Sequence, residues 1–224
     1  MSTEQQNTIE DERGTSRLEA FSDGVIGVAI TLLVLNITVP EPHAKQVLWD
    51  DLWQQWPNYL GYVTSFLVIG VIWINHHHFF HYVKRTDQGL FLLNTLFLLC
   101  VGLIPFVTAL VTRYLQLPEK HTAAIVYSGV LLLMSLTFSG LWGYARTHPH
   151  LVDSRVDPGI IRHLFRRSFM SIPFYLLSVV LSLVSVEASL VLYILIAVFY
   201  ALPIDRFLKR MQTRDERTPL ARHK

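Results

Sequence analysis

Gly89-Leu-Phe-Leu-Leu-Asn94-Thr-Leu-Phe-Leu-Leu-Cys100-Val-Gly-Leu-Ile-Pro105-Phe-Val-Thr-Ala-Leu-Val-Thr112 contains no charged side chain. A helix of about 20 apolar residues crosses the hydrocarbon core of a bilayer. The stretch therefore reads as a transmembrane helix. Its internal Pro105 is tolerated where neighbouring groups satisfy the carbonyl that proline frees. Five further runs of this kind lie at about 17–38, 57–80, 121–145, 168–186 and 188–203. The first stops at Pro40, and only a tight turn around Glu187 divides the last two.

Composition agrees. Only 16% of the 224 residues are charged, against about a quarter in soluble domains. Those charges crowd into the ends and the gaps. A soluble chain of this size has no core able to hide six such runs. The fold class is an all-α integral membrane protein with six transmembrane helices per subunit. The transmembrane unit spans 17–203, between a polar tail at 1–16 and a basic tail at 204–224, both read as disordered. The polar, partly acidic first 16 residues make no signal peptide. A single cysteine, Cys100, excludes an intrachain disulfide.

Orientation follows from Lys and Arg in the gaps. The N-terminal segment holds two, gap 2–3 two, gap 4–5 five and the C-terminal tail seven, which sum to 16 of the 19 on one side. Lys45, Arg113 and Lys120 lie on the other. Both termini are therefore expected in the cytoplasm. Gap 1–2 carries Trp49, Trp53 and Trp56 near helical spacing. It reads as a short amphipathic helix in the outer interface, where indole rings prefer to sit. Gap 4–5 reads as an ordinary polar loop.

The first span enters the membrane through the polar cluster Arg17-Leu-Glu-Ala-Phe21-Ser22-Asp23. An ionisable group at such depth normally faces protein or water. At about 100° per residue, Val28, Leu32 and Leu35 form one apolar stripe with Thr31 beside it, while Asp23 lies about 140° from Val28 and Ser22 about 120° away on the other flank. Stripe and cluster thus point in different directions. On spacing alone the preferred reading of the stripe is an ordinary lipid-facing or core surface. Ala20, Gly24 and Gly27 form a small-residue edge suited to close helix packing.

The second span ends in Trp73-Ile-Asn75-His76-His77-His78-Phe79-Phe80-His81. His77 and His81 share a face at i, i+4, as metal-binding pairs do, but a site needs three or four ligands and no further cluster supplies them. Hydrogen bonding from these histidines to Asp23, Ser22 or Arg17 at the same membrane level is the preferred reading, and Asn94 starts from that level too. Absent are a TVGYG-type filter, a Walker loop, HExxH or a Ser-His-Asp arrangement, and an arginine-rich voltage-sensing helix.

The run from Arg17 to Leu35, with its R-x-x-x-F-S-D core, its T-L-L-V-L end and Val39-Pro40 beyond, resembles the signature of the transmembrane protein 175 family. Trp73, His76, His77 and Asn94 fit the same resemblance, which extends over about 17–203 and leaves the tails uncovered. It implies a potassium-selective cation channel whose first helix lines the pore. Animal members carry two six-span repeats and form dimers. One repeat implies the prokaryotic form, a homotetramer in the cell membrane. Constriction rings carried over by position fall at Val28, Leu32 and Leu35, with Thr31 as a polar ring contributing to selectivity. The family often has isoleucine where Val28 stands. Arg17, Phe21, Ser22, Asp23, Trp73, His76, His77 and Asn94 correspond to a structural network. No cofactor, resident metal, enzymatic activity or nucleic-acid partner is expected; the partners are lipid, further copies of the chain and potassium ions. A proton-linked or small-solute transporter using Asp23 and His76 to His81 is the alternative, and a metal-binding protein or intramembrane metalloenzyme built on that histidine run is a third reading.

Overall fold

The computed structural model describes residues 3–41 and 47–201. The expected tail 204–224 and the end of the sixth span at 203 lie outside the described residues, as does Lys45. Seven α-helices are described. They are α1 (Thr3–Leu32, with a 3-10 extension Leu33–Asn36), α2 (Leu48–Gln54), α3 (Trp56–Tyr82), α4 (Gln88–Tyr114), α5 (Lys120–Thr147), α6 (Pro158–Val184) and α7 (Val186–Ala201). The end of α1 with its extension, and α3, α4, α5 and α6, are each long and apolar enough to cross a bilayer, and α7 is the shorter sixth. The chain is an all-α membrane protein. Large apolar side chains such as Leu92, Leu99, Phe106, Leu177 and Leu195 point outward, as surfaces meeting lipid rather than water do.

Three boundaries depart from expectation. α1 begins at Thr3, so most of the expected disordered tail 1–16 is helical. α6 begins at Pro158, ten residues before the expected start at 168. Asp157 caps it, accepting from the Gly159 N–H at 2.7 Å, and Pro158 takes the first position, where a missing N–H costs nothing. Arg162, Arg166 and Arg167 therefore ride on the helix; long side chains of this kind carry their charge toward the membrane surface. Gap 4–5 is also more than a polar loop. Leu151 and Val83 are fully buried. Lys84 N–H donates to Leu151 O at 2.9 Å and Asp153 N–H to Tyr82 O at 3.0 Å, so this gap pairs with gap 2–3. Thr15 Oγ1 donates to Lys84 O at 2.9 Å, which pins α1 to the same join. The tryptophan segment is helical as expected, in α2, with Trp49 and Trp53 exposed.

α3 through α7 form a ring in which each helix packs on the next and α7 returns to α3. The tightest seam is α5 against α6. Ser128 bonds Ser182 at 2.9 Å, Ser139 bonds Ser168 at 3.0 Å, and Ser135 bonds Ser171 between them. Small hydroxyl residues let two backbones approach while bonding across the gap. α1 stands outside this ring, laid across α3 and α4.

Asp87 caps α4, accepting from the Leu90 N–H at 2.8 Å and from the Tyr144 hydroxyl at 2.8 Å. Tyr144 reaches it across Gly89, where an added Cβ would strike the phenol oxygen and ring. Gly89→Ala is expected to push Tyr144 off Asp87 and lower stability by about 1–3 kcal/mol. Gly70→Ala, where nothing lies within 4 Å, is expected to change it little. Thermal unfolding of the two variants in detergent compares them directly; equal midpoints would contradict this account.

Candidate functional site

The site is built on α1, whose two faces differ sharply. Leu18, Ser22, Ile26, Ala29 and Leu33 recur at helical spacing and are buried against α3 and α4. The opposite face carries Val28, Leu32 and Leu35, which are 57%, 43% and 70% exposed, against 1% for Ile26 and 0% for Leu33. Thr31 lies on the same open face, and its hydroxyl donates to Val28 O at 2.9 Å. Phe21 is also exposed, so the subunit does not draw it into the network expected around the motif.

The buried face is tied down by a chain of polar contacts. Asn94 of α4 donates through Nδ2 to Ser22 Oγ at 2.9 Å, and Ser22 Oγ donates to Leu18 O at 2.8 Å. The Asn94 Oδ1 lies 2.9 Å from His76 Nε2 of α3, and with the amide so oriented the imidazole donates. One uncharged side chain thus joins three helices. The His76 ring stacks on Phe97 at 5.2 Å and 6° and meets the edge of Phe80 at 5.0 Å. Its Nδ1 is buried and has no hydrogen-bond partner among the described residues. All three members of the chain are fully buried, where each bond is strengthened by the absence of water.

Asp23 does not pair with Arg17 or with a histidine as expected. Its Oδ1 accepts from Trp73 Nε1 at 3.0 Å. The reason is level along the helix: Trp73 and His77 both face α1, one turn apart, with Trp73 level with Asp23 and His77 level with Glu19. Arg17 is exposed and joins none of these contacts. His77 instead faces Glu19, Nδ1 to Oε1 at 3.0 Å. Glu19 and Phe97 were missed from sequence, although Glu19 stands one turn before Asp23 and Phe97 one turn after Asn94. The histidines fan out: His76 turns to α4, His77 to α1, and His78 into the ring. Among the described residues no group of three His, Cys, Asp or Glu side chains is arranged to hold a metal ion.

Beside the open face runs a groove lined by Ala20, Phe21, Gly24, Val28 and Leu32 of α1 and by Gly102 of α4. Among the described residues, nothing outside the helix's own backbone lies within 4 Å of a Cβ placed at Gly24 or Gly27. The small-residue edge is therefore not used for packing inside one subunit.

Residues 17–105 match the family model described as endosomal/lysosomal potassium channel TMEM175. The potassium channel B446_29190 of Streptomyces collinus is 44% identical over 187 residues, 83% of this chain and 91% of that protein. The endosomal/lysosomal proton channel TMEM175 of Gallus gallus is 35% identical over 141 residues, 59% of this chain and 28% of that protein. The crystal structure of a lysosomal potassium-selective channel TMEM175 homolog from Chamaesiphon minutus superposes with a TM-score of 0.76 at 39% identity, covering 85% of this chain and 97% of that one. A structure of the potassium channel MtTMEM175, at 22% identity and a TM-score of 0.59, shares the fold. With a relative 44% identical along nearly its whole length and the signature carried on α1, the chain belongs to the TMEM175 family of ion channels and is not an enzyme.

Proposed function

We propose that the chain is the subunit of a potassium-selective cation channel, a homotetramer whose pore is lined by α1, in a prokaryotic cell membrane with both termini in the cytoplasm. The channel unit is 17–203, flanked by 1–16 and 204–224. The observation that carries this reading is the asymmetry of α1. Its Ser22 face is locked to α3 and α4, while the face with Val28, Thr31, Leu32 and Leu35 is left open along the helix. A helix held on one side and open on the other is what a shared axis requires. Gly24 and Gly27, unpacked within the subunit, leave room for a neighbouring backbone. The Streptomyces and Chamaesiphon relatives carry the name potassium channel.

In this arrangement Val28, Leu32 and Leu35 form apolar rings that dewet and restrict the pore. Thr31 hydroxyls partly replace water around a weakly hydrated ion. Arg17, Phe21, Ser22, Asp23, Trp73, His76, His77 and Asn94 serve assembly rather than permeation. The transporter reading is weaker, because Asp23 and His76 have separate partners and share no site. Proton passage through the same pore is a second reading, favoured by the name of the vertebrate relatives.

Purified protein in liposomes is expected to pass potassium faster than sodium; equal flux of both, or none, would sink the selective channel. Leu35→Ser and Val28→Ala are expected to raise flux, and Thr31→Val to lower the preference for potassium. In a background lacking Cys100, thiol reagents are expected to block Val28→Cys, Leu32→Cys and Leu35→Cys but to spare Ile26→Cys and Leu33→Cys. Blocking that follows positions on α4 or α7 instead would mean that another helix lines the pore.

Asn94→Leu leaves the His76 Nε2 without its partner and removes one of the two bonds of Ser22, which keeps Leu18 O. An orphaned buried polar group costs about 1–3 kcal/mol, so this variant is expected to lose stability and tetramer yield. Asp23→Ala is expected to lower tetramer yield more than it alters ion preference, a point read by size-exclusion chromatography beside flux. Normal assembly with altered selectivity would move Asp23 into the pore.

A further inference from the structure

The ring of α3 to α7 encloses a cavity of about 80 Å³, room for several waters or a short run of methylenes. Its two ends differ in chemistry. Asn75, His78, Arg167 and Tyr200 line one end and are half-exposed. Aromatic and aliphatic side chains such as Phe97 and Trp142 line most of the rest, together with Ser135, Ser168 and Ser171, whose hydroxyls are taken up by the seam of α5 and α6. The Arg167 guanidinium is held in place: Nη2 donates to Tyr200 O at 3.3 Å, and the group lies 5.2 Å from the centre of the Tyr200 ring and 5.9 Å from that of Phe199. Arg146, Arg162 and Arg166 are exposed at the same end of α5 and α6. A cationic mouth above a mainly apolar interior, within the transmembrane region, matches an amphiphile with a negative head; the Asn75 amide there already donates to Val71 O and Tyr200 O. Basic pockets between transmembrane helices bind anionic lipid headgroups in this manner.

We propose that this cavity binds an anionic membrane phospholipid, with its phosphate at Arg167 and a short run of methylenes of one acyl chain entering the ring. The site is distinct from the open face of α1 and does not depend on which ion permeates. It is nonetheless close to the α1 attachment. Phe97 is a wall of the cavity and stacks on His76, so the acyl chain lies one ring away from the Asn94 junction.

Trp142 provides the probe. It is buried at the cavity, whereas Trp49, Trp53, Trp56 and Trp73 are exposed. The difference in emission between the unmodified protein and Trp142→Phe isolates its signal. Full-length protein in micelles is titrated with brominated phosphatidylglycerol or brominated phosphatidylcholine, bromine being a contact quencher. Phosphatidylglycerol is expected to quench Trp142 saturably, at a roughly tenfold lower mole fraction than phosphatidylcholine, the size of a charge-assisted hydrogen bond. Arg167→Gln, where it folds, is expected to remove that preference; the comparison of two lipids on the unmodified protein carries the test without it. Equal quenching by both lipids would mean apolar filling with no recognition of the head. Trp142 emission unchanged by either would mean that no chain enters. A thermal shift with inorganic phosphate, in the absence of quenching by lipid, would assign the mouth to free phosphate. Each of these three results overturns the proposal.

Discussion

The amide of Asn94 is the constraint on which the arrangement of α1 depends. A residue facing both Ser22 and His76 must donate to one and accept from the other, and in a dry interior it must do so without a charge. An amide meets both demands at once, offering two donors and an oxygen with two lone pairs. Aspartate would carry a charge into a region where its desolvation is costly, and leucine would orphan the His76 Nε2 and leave Ser22 only its bond to Leu18 O. The bond to His76 at 2.9 Å fixes the Asn94 amide between α3 and α4, and the bond from that amide to Ser22 at 2.9 Å fixes the rotation of α1 about its own axis. Once that rotation is fixed, the direction of every other α1 side chain follows from 3.6 residues per turn.

This explains why the two faces of α1 are so unlike. Ile26, Ala29 and Leu33 lie on the Ser22 side and bury against the ring. Val28, Leu32 and Leu35 are carried to the far side by the same periodicity. A different rotation would bury the leucines and expose Ser22, exchanging an apolar surface for a polar one toward lipid or toward a neighbour. Trp73 donating to Asp23 and His77 facing Glu19 act on the same side of α1 near its polar end. They lie at partly exposed positions and add less than the buried amide.

Much of this was legible in the sequence, because it rests on lengths and periods. The apolar runs gave the spans of α3, α4 and α5 to within a few residues. The stripe of Val28, Leu32 and Leu35 separated from Ser22 by spacing alone. What spacing could not supply was the relation between helices. That His76, Asn94 and Ser22 sit at one level was readable, but Asp23 meeting Trp73 rather than a histidine depends on the axial register of α1 against α3. The early start of α6 was hidden because Arg162, Arg166 and Arg167 interrupt its hydropathy, although Asp157-Pro158 is a good helix start. The pairing of the two gaps through Lys84 and Leu151 is long-range backbone bonding with no local signal. The serine pairs of α5 and α6 become visible only when both helices are laid side by side.

The architecture also separates two tasks that a single bundle would confuse. The ring from α3 to α7 closes on itself and needs no contribution from α1 to satisfy its serine seam or its buried tyrosines. α1 is attached to the outside of a structure that is already complete. Its attachment combines a narrow apolar strip with one polar junction, so small tilts about that junction change the position of Leu35, far along the helix, more than that of Phe21. Asn36 Nδ2 approaching Pro105 O at 3.4 Å and Thr38 bonding Gln55 restrain the far end, but the first of these is long and the second exposed. Leu33, fully buried, still packs the Leu35 end of the helix against α3 and α4, so that end is held by apolar contact and the Ser22 end by the polar junction as well.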